Sequence, residues 1–296
     1  MLKIGFIGAG TVGTALAKTL SQRGYQVVAV FSRTPASAQK LAGQVNSVLS
    51  SSKEGCQVKD HGQGVIEAAD LVFVTTPDDA VAPVVAQYQW RTGKSVVHCS
   101  GAASLDILQP ARIAGASVGA FHPLQTFASI AQAIENIPGS TFGIEADGNL
   151  IETLKAMATA LGGQWVELKG SDKVLYHAAA VIACNYFVTL VKMSTDLWKE
   201  FGVSTPEATK ALLPLIQGTV NNLKQVGLPN CLTGPIARGD MGTLQKHLEA
   251  LEKHPGLSGL VSTYKELGLQ TIPVSLAKGK ITAQRAEEMR SLFTGN

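Results

Sequence analysis

A glycine triplet at residues 8–13 limits the fold of this chain more than any other feature. Gly8-Ala9-Gly10-Thr11-Val12-Gly13 follows a short apolar run, Lys3–Ile7, and opens a helical pattern, Thr11–Arg23. The G-x-G-x-x-G spacing alone is a weak signal; between a strand and a helix it becomes a strong one. There Gly8 permits a tight turn, Gly10 lets a ligand approach the bare backbone, and Gly13 lets the helix close onto the strand. Free N–H groups at the helix start, reinforced by its dipole, then make an anion cradle. A dinucleotide pyrophosphate suits such a cradle, with Gly8, Ala9, Gly10, Thr11, Val12 and Gly13 as its contacts.

The end of the second strand, Gln26–Phe31, selects the dinucleotide. An NAD site normally places Asp or Glu about 20 residues beyond the motif, on the ribose hydroxyls. Here the chain reads Phe31-Ser32-Arg33-Thr34, with no carboxylate. A guanidinium and two hydroxyls suit a 2′-phosphate, because Arg can pair with phosphate through two parallel hydrogen bonds. Ser32, Arg33 and Thr34 therefore point to NADP, with NAD the less suited cofactor. Thr76 and Pro77, after a strand at Asp70–Thr75, are placed to line the nicotinamide half of the cleft, and Asp78 to cap the helix that follows.

Strand-like and helix-like segments alternate through the first half: a short helix at Pro35–Ala42, a helix at Asp78–Tyr88, strands at Ser95–His98, Ser117–Phe121 and Thr141–Ile144, a helix at Asn149–Leu161 and a strand at Gln164–Leu168. Residues 45–64 are poorly periodic and read as loop and sheet edge. This alternation predicts right-handed βαβ units and a mostly parallel sheet. The character changes after Lys169. From Ser171 onward the periodicity is almost entirely helical, with a long helix reaching toward Phe201 and others at Pro206–Val226, Met241–Lys253, Ser258–Leu267 and Thr282–Phe293. The fold class is thus α/β: a doubly wound Rossmann sheet over residues 1–169, then an all-α domain over 170–296 that serves substrate and dimer.

Composition narrows the function. With 45% apolar and 16% charged residues, the charged share is below the usual one-quarter or so, which speaks for extra buried surface such as a subunit interface. A net charge of +3 without a basic run argues against nucleic acid. Met1–Phe6 has no cleavable hydrophobic region, and the longest apolar stretch, Ala178–Val191, is short of the roughly 20 residues that span a bilayer. The expectation is a cytoplasmic protein without membrane contact. Cys56, Cys99, Cys184 and Cys231 form no C-x-x-C pair, and no acidic or His pair has ligand spacing, so neither disulfides nor a metal are expected.

Candidate chemistry follows the later strands. His98-Cys99-Ser100-Gly101 closes one strand and Phe121-His122-Pro123-Leu124-Gln125-Thr126-Phe127 the next. Ligands in open α/β sheets lie beyond the carboxyl ends of strands, so both clusters should face the dinucleotide cleft. Ser100 can hydrogen-bond a substrate carbonyl or carboxylate. His122 can exchange the proton that accompanies hydride transfer, although a His before Pro can also simply shape a turn. His98, inside a strand, reads as a core histidine. The long helix adds His177, one turn after Lys173, with Cys184 on the same face; His177 can also merely pack between domains. Arg238 either holds an anionic substrate or pairs with Asp240.

Together with the glycine fingerprint, His98–Gly101, Gly119–Phe127, Tyr176-His177-Ala178-Ala179, Thr233-Gly234-Pro235 and Arg238-Gly239-Asp240 resemble one bacterial family: Rossmann-like NADP oxidoreductases whose helical C-terminal domain has no assigned function. That family is similar in turn to pyrroline-5-carboxylate reductases, deazaflavin-dependent NADP reductases and the β-hydroxyacid dehydrogenases related to 6-phosphogluconate dehydrogenase. The resemblance implies a homodimer built through the helical domains and supplies no substrate. It breaks at one point. The β-hydroxyacid dehydrogenases follow a helix lysine with asparagine four residues on, whereas Lys173 is followed by His177, so their lysine mechanism does not transfer. The expectation is an NADP-dependent oxidoreductase moving hydride to or from a small carbonyl, imine or hydroxy substrate bound between the domains. Ser100, His122 and His177 are its polar participants, with either histidine as acid/base. A non-catalytic NADP(H)-binding regulator or redox sensor is the alternative.

Overall fold

The computed structural model describes residues 2–49 and 55–295. Its first compact unit runs to Tyr186, and the second covers Phe187–Asn296. The sequence change at Lys169 thus precedes the structural division, because the first turns of the long helix pack onto the sheet rather than leaving it.

Eight strands form one sheet in the order β3-β2-β1-β4-β5-β6-β7-β8. They are β1 (Lys3–Ile7), β2 (Gln26–Phe31), β3 (Gln57–Val58), β4 (Leu71–Val74), β5 (Ser95–His98), β6 (Ser117–Leu124), β7 (Thr141–Ala146) and β8 (Gln164–Glu167). All neighbours pair in parallel except β6 and β7, which run antiparallel. Strand order reverses between β1 and β4, the switch point where such sheets open a crevice. The intervening helices are α1 (Thr11–Gln22), α2 (Pro35–Asn46), α3 (Gly62–Ala68), α4 (Asp78–Ala86), α5 (Gln109–Ile113), α6 (Ile130–Asn136) and α7 (Leu150–Ala160). The loop-and-edge expectation for residues 45–64 meets the edge strand β3 and the end of α2; its part at 50–54 lies outside the described residues.

Both faces of the sheet are covered. Alternate residues of each strand point to opposite sides. One side carries Ile4, Phe6, Leu16, Leu20, Phe73, Phe121 and Phe142; the other carries Ile7, Val72, Val74, Val96, Val118 and Ala120. On the first side three contacts link four buried rings into a ladder: Phe6 to Phe73 at 5.3 Å, Phe73 to Phe121 at 5.9 Å, and Phe121 to Phe142 at 4.4 Å between centroids.

After β8 the chain is helical: α8 (Lys173–Ala180), a π turn (Val181–Asn185), α9 (Tyr186–Lys199), α10 (Thr205–Val226), α11 (Pro235–Arg238), α12 (Met241–Glu252), α13 (Ser258–Ala277) and α14 (Ala283–Thr294). The π turn breaks the 100° count that places His177 and Cys184 on one face. In the second unit Leu244, Leu248, Ile272, Ala286, Met289 and Phe293 form a core. Arg238 pairs with Asp240 at 3.0 Å, the structural alternative for that residue. The run Gly170–Lys199 is long and apolar enough to cross a membrane by length and composition, with mean hydropathy 1.7. It exceeds the stretch counted from sequence because the helix continues on both sides. Its early turns nonetheless seat Lys173 and Tyr176 against the sheet, a placement foreign to a lipid-facing helix.

Candidate active site

The glycine loop is built as its spacing requires. Gly8 has φ +105°, a backbone region that only glycine enters freely, and a Cβ there would lie 2.7 Å from the Thr75 carbonyl carbon. Its N–H donates to the Phe31 carbonyl at 2.8 Å, and its own carbonyl accepts from Thr75 Oγ1 at 2.9 Å. Gly13 faces the same threonine, and a Cβ there would collide with Thr75 Oγ1. Gly10 differs: the space ahead of it is open to beyond 4 Å. It caps α1, no side chain caps the first N–H groups, and the first turn carries no acid. These donors are therefore free for an external anion.

The loop opens into a cleft of about 860 Å³ lined by Gly8, Ala9, Gly10, Ser32, Arg33, Thr34, Thr76 and Pro77, with α4 as its far wall. Thr11, Val12 and Gly13 sit behind the loop as the first turn of the helix. Within the cleft wall, Thr76 Oγ1 is buried without a hydrogen-bond partner, an unsatisfied group of the kind that marks a ligand or water contact. An open glycine, bare helix N–H groups, an orphaned hydroxyl and a guanidinium at the end of β2 together fit a phosphorylated dinucleotide. Arg33 would hold the 2′-phosphate and the α1 terminus the pyrophosphate.

A second cluster lies on one face of β5, β6 and β7. His98 pairs with Ala120, Ala120 with Glu145, and His122 with Gly143. Paired residues share a face and so do residues two apart, so His98, Ala120, His122, Gly143 and Glu145 all point the same way. Helix α8 lies over them. Its buried and half-buried residues are Lys173, Tyr176, His177 and Ala180, a stripe at helical spacing. Ala120 and Gly143 leave room for it; a Cβ on Gly143 would come within 2.8 Å of Tyr176 Oη. Tyr176 Oη and His122 Nδ1 are hydrogen-bonded at 2.8 Å, and the His122 and His177 ring centroids lie 6.1 Å apart. Gly101 touches both imidazoles: a Cβ there would lie 2.6 Å from His177 Cδ2 and 2.9 Å from His122 Nε2.

Burial sets the charges here. The His122 pKa is pushed down to about 4, first by desolvation and then by His177 and Lys173. Tyr176 is pushed up to about 12 by burial, against a backbone hydrogen bond from Gly143. His98 is fully buried, accepts the Ser100 N–H on Nδ1 at 3.1 Å, and is driven down to about 3, again chiefly by desolvation. It is a core histidine.

The three expected participants therefore fare differently. His122 and His177 come together, although His122 lies inside β6 rather than beyond its end, since the strand continues to Leu124. Ser100 is buried, and its Oγ donates to Asp78 Oδ2 at 2.6 Å while accepting the Ala103 N–H at 3.2 Å. Its proton is directed at a carboxylate rather than left free. Sequence reasoning cast Asp78 as a helix cap, whereas Pro77 stands at the cap and Asp78 in the first turn with its carboxylate on Ser100; it used Tyr176 and Gly101 only in motifs and passed over Glu145. The signal for Glu145 was present: a lone carboxylate in the apolar strand TFGIEA, two residues from a glycine. Among the described residues no group of three His, Cys, Asp or Glu side chains could hold a metal.

Comparison with known proteins fits this layout. Residues 3–101 match the family model described as NADP oxidoreductase, coenzyme F420-dependent. Residues 140–271 match a domain of unknown function. The chain carries these two family segments in tandem. A candidate NADP oxidoreductase from Bacteroides fragilis is 26% identical, with TM-score 0.68 over 92% of this chain and 98% of that one. Two more distant structures share the fold. The Aspergillus terreus reductive aminase, solved with NADPH and ethyl-5-oxohexanoate, is 18% identical, with TM-score 0.63 over 100% of this chain and 93% of its own. The 1-pyrroline-5-carboxylate reductase of Streptococcus pyogenes is 17% identical, with TM-score 0.60 over 98% of both. No curated protein is significantly similar. The matched N-terminal segment and the Bacteroides relative indicate an NADP-dependent oxidoreductase, in agreement with the cofactor read from Ser32, Arg33 and Thr34.

Proposed function

We propose that this protein is an NADPH-dependent reductase of small carbonyl or imine compounds, with hydroxy compounds as substrates in the reverse direction. The observation that carries the reading is the meeting of His122 and His177 over Gly101, in the same sheet whose β1, β2 and β4 ends line the open cleft. NADPH, when bound, supplies the hydride; the chain supplies orientation and the proton. His122 is neutral in the working range, since burial holds it near 4. With the Gly143 backbone bonded to its oxygen, Tyr176 directs its own proton to His122 Nδ1. His122 Nε2 then carries hydrogen and acts as a donor that polarises a carbonyl or imine. His177, beside it, is the group that exchanges the proton. Ser100 and Asp78 hold the loop after β5 in place through their short hydrogen bond.

The structural relatives support the substrate class: the Aspergillus enzyme is named a reductive aminase and the Streptococcus enzyme reduces a cyclic imine by name. A homodimer through the helical region accompanies this reading. Leu175, Ile182, Phe187, Val188, Leu213, Leu215 and Val226 are all exposed large apolar side chains on the run Gly170–Lys199 and on α10. So many large apolar side chains left open to water on two helices favour a covered surface, and light scattering on the purified protein reads the state.

The test is NADPH oxidation by the purified protein over a panel of small oxo acids, aldehydes and cyclic imines. Turnover on at least one of these, lost when His122 and His177 are both changed to Gln, is expected. Turnover unchanged in that double variant contradicts the roles given to the histidines. NADPH binding without oxidation on any panel member contradicts the reductase reading and favours a regulator.

A further inference from the structure

The segment from Thr233-Gly234-Pro235 to Asp240 has no part in the chemistry above, yet it borders a pocket of its own. This pocket lies wholly within the second unit. Its volume is about 330 Å³, and Thr233, Gly234, Arg238, Lys278 and Lys280 line it together with Leu232 and Ala237. No carboxylate lines it. The loop is fastened from the end of α13. Ser275, fully buried, donates to the Ile236 carbonyl at 3.0 Å. Lys278 Nζ donates to the Asn230 carbonyl at 2.9 Å and to the Leu232 carbonyl at 2.7 Å. An ammonium has three N–H donors, so one is left for an outside acceptor. Gly234 has φ +90°, and the space a Cβ would fill is open to beyond 4 Å, so a ligand can approach the bare backbone there.

We propose that this pocket is an anion site that takes a phosphate monoester group. The charges point to an anion. Arg238 places Nε and Nη2 on Asp240 Oδ2 at 3.3 and 3.0 Å. Asp240 also caps α12 through the Thr243 N–H and hydroxyl, so its single charge is already shared. Three positive charges thus gather around one negative charge, two in excess. The α13 dipole favours Lys278 and Lys280 beyond that helix end, but Arg238 arrives on α11. Like charges brought together repel, and a dianion among them turns that repulsion into attraction. The donor set selects the class. Arginine reads a carboxylate through two parallel N–H groups, and the Nε–Nη2 edge of Arg238 is taken by Asp240. What remains is two ammonium groups, the Thr233 hydroxyl and the outer guanidinium N–H groups, dispersed donors that suit a tetrahedral dianion. At less than half the volume of the dinucleotide cleft, the pocket suits a phosphate with a short organic body. The inference does not rest on the reductase reading.

The Arg238 Nε–H cross-peak of the ¹⁵N-labelled full chain, assigned by its loss in Arg238→Lys, reports this pocket locally. Phosphate held at the glycine loop therefore does not enter the reading. Inorganic phosphate, glycerol 3-phosphate and malonate are each titrated at constant ionic strength, at a pH where phosphate is a dianion. At least one of the two phosphates should move the peak saturably, with a midpoint below about 10 mM. Lys280→Glu, a change at an exposed side chain, should weaken that midpoint by at least about tenfold. Tighter binding of glycerol 3-phosphate identifies a phosphorylated organic ligand, and tighter binding of inorganic phosphate identifies the free ion. No saturable shift with either phosphate overturns the proposal. So does a midpoint that Lys280→Glu leaves unchanged, and so does malonate binding more tightly than both phosphates.

Discussion

The two units of the chain use apolar residues in opposite ways. In the sheet unit they are consumed inside: Phe6, Phe73, Phe121 and Phe142 are all fully buried in one ladder. In the helical unit α12, α13 and α14 close a modest core, while α9 buries only Thr195 and α10 only Ala208. A low charge content therefore has two meanings in one molecule. In the first unit it reflects a sheet covered on both faces; in the second it reflects large apolar side chains left exposed on α9 and α10. The candidate chemistry sits with the buried polar groups of the first unit, where burial pushes His122 and Lys173 down and Glu145 up.

The contrast is broken most forcefully by truncating one residue from each region. Phe121→Ala removes a ring stacked on Phe142 and should cost about 3–5 kcal/mol of unfolding free energy. Leu215→Ala, at a side chain 68% exposed, should cost under about 0.5 kcal/mol in dilute monomer while weakening self-association. Urea melts at low and high protein concentration check both. Equal losses at the two sites would erase the distinction.

Next in size is the glycine loop. Gly13→Val drives a branched side chain into Thr75 and the Gly8 carbonyl. It should cost about 1–3 kcal/mol of stability through overpacking and lower NADPH affinity by about a hundredfold as the cradle opens. Differential scanning calorimetry and nucleotide titration measure the two parts. Retained affinity would place the phosphates elsewhere.

Acid sensitivity should also be a property of the sheet unit. Burial holds His98 at about 3 and His122 at about 4, both below the ordinary 6.5. Unfolding restores the ordinary value, so below pH 6.5 the unfolded chain takes up protons that the folded chain resists. The contribution of these histidines to stability is full above that pH. It is lost as pH falls toward 3–4, at about 1.4 kcal/mol per pH unit for each histidine. Melts at pH 6.5, 5.5 and 4.5 should show the decline, and His98→Asn should reduce its slope. A slope that the variant leaves unchanged would assign acid sensitivity to other groups.

The smallest effect sharpens the site. Gly101→Ala pushes a methyl group against His122 and His177 and should lower kcat by about tenfold, or roughly 1.4 kcal/mol in the barrier, with NADPH binding unchanged. A parallel loss of NADPH binding would mean that the cofactor cleft and the histidine cluster do not separate.

Legibility in the sequence divides along similar lines. The strands β1, β2 and β5 stand where their apolar runs place them, because a buried parallel strand announces itself by composition. The strand read as Ser117–Phe121 continues through His122 and Pro123 to Leu124 beside β7. Helix α13 runs on to Ala277, well past Leu267. Gly268 is a packing device rather than a terminator, since a Cβ there would strike the Phe293 ring of α14 at 2.5–2.9 Å. The glycine loop between β1 and α1 was readable because its parts are consecutive. The second cluster was only half readable: His122 and His177 stand out as histidines, but Gly101, Tyr176, Lys173 and Glu145 gain meaning only when α8 is laid over β6 and β7. Periodicity records which face is buried, not which two faces meet.

Isothermal titration of the full chain with NADPH and NADH, repeated on Arg33→Ala, probes the foundation of all this. NADPH should bind wild type at least tenfold more tightly than NADH, and the Arg33→Ala change should remove most of that preference while leaving NADH binding as it was. No heat with either nucleotide, or a preference for NADH, would contradict the cofactor site and the reductase built upon it.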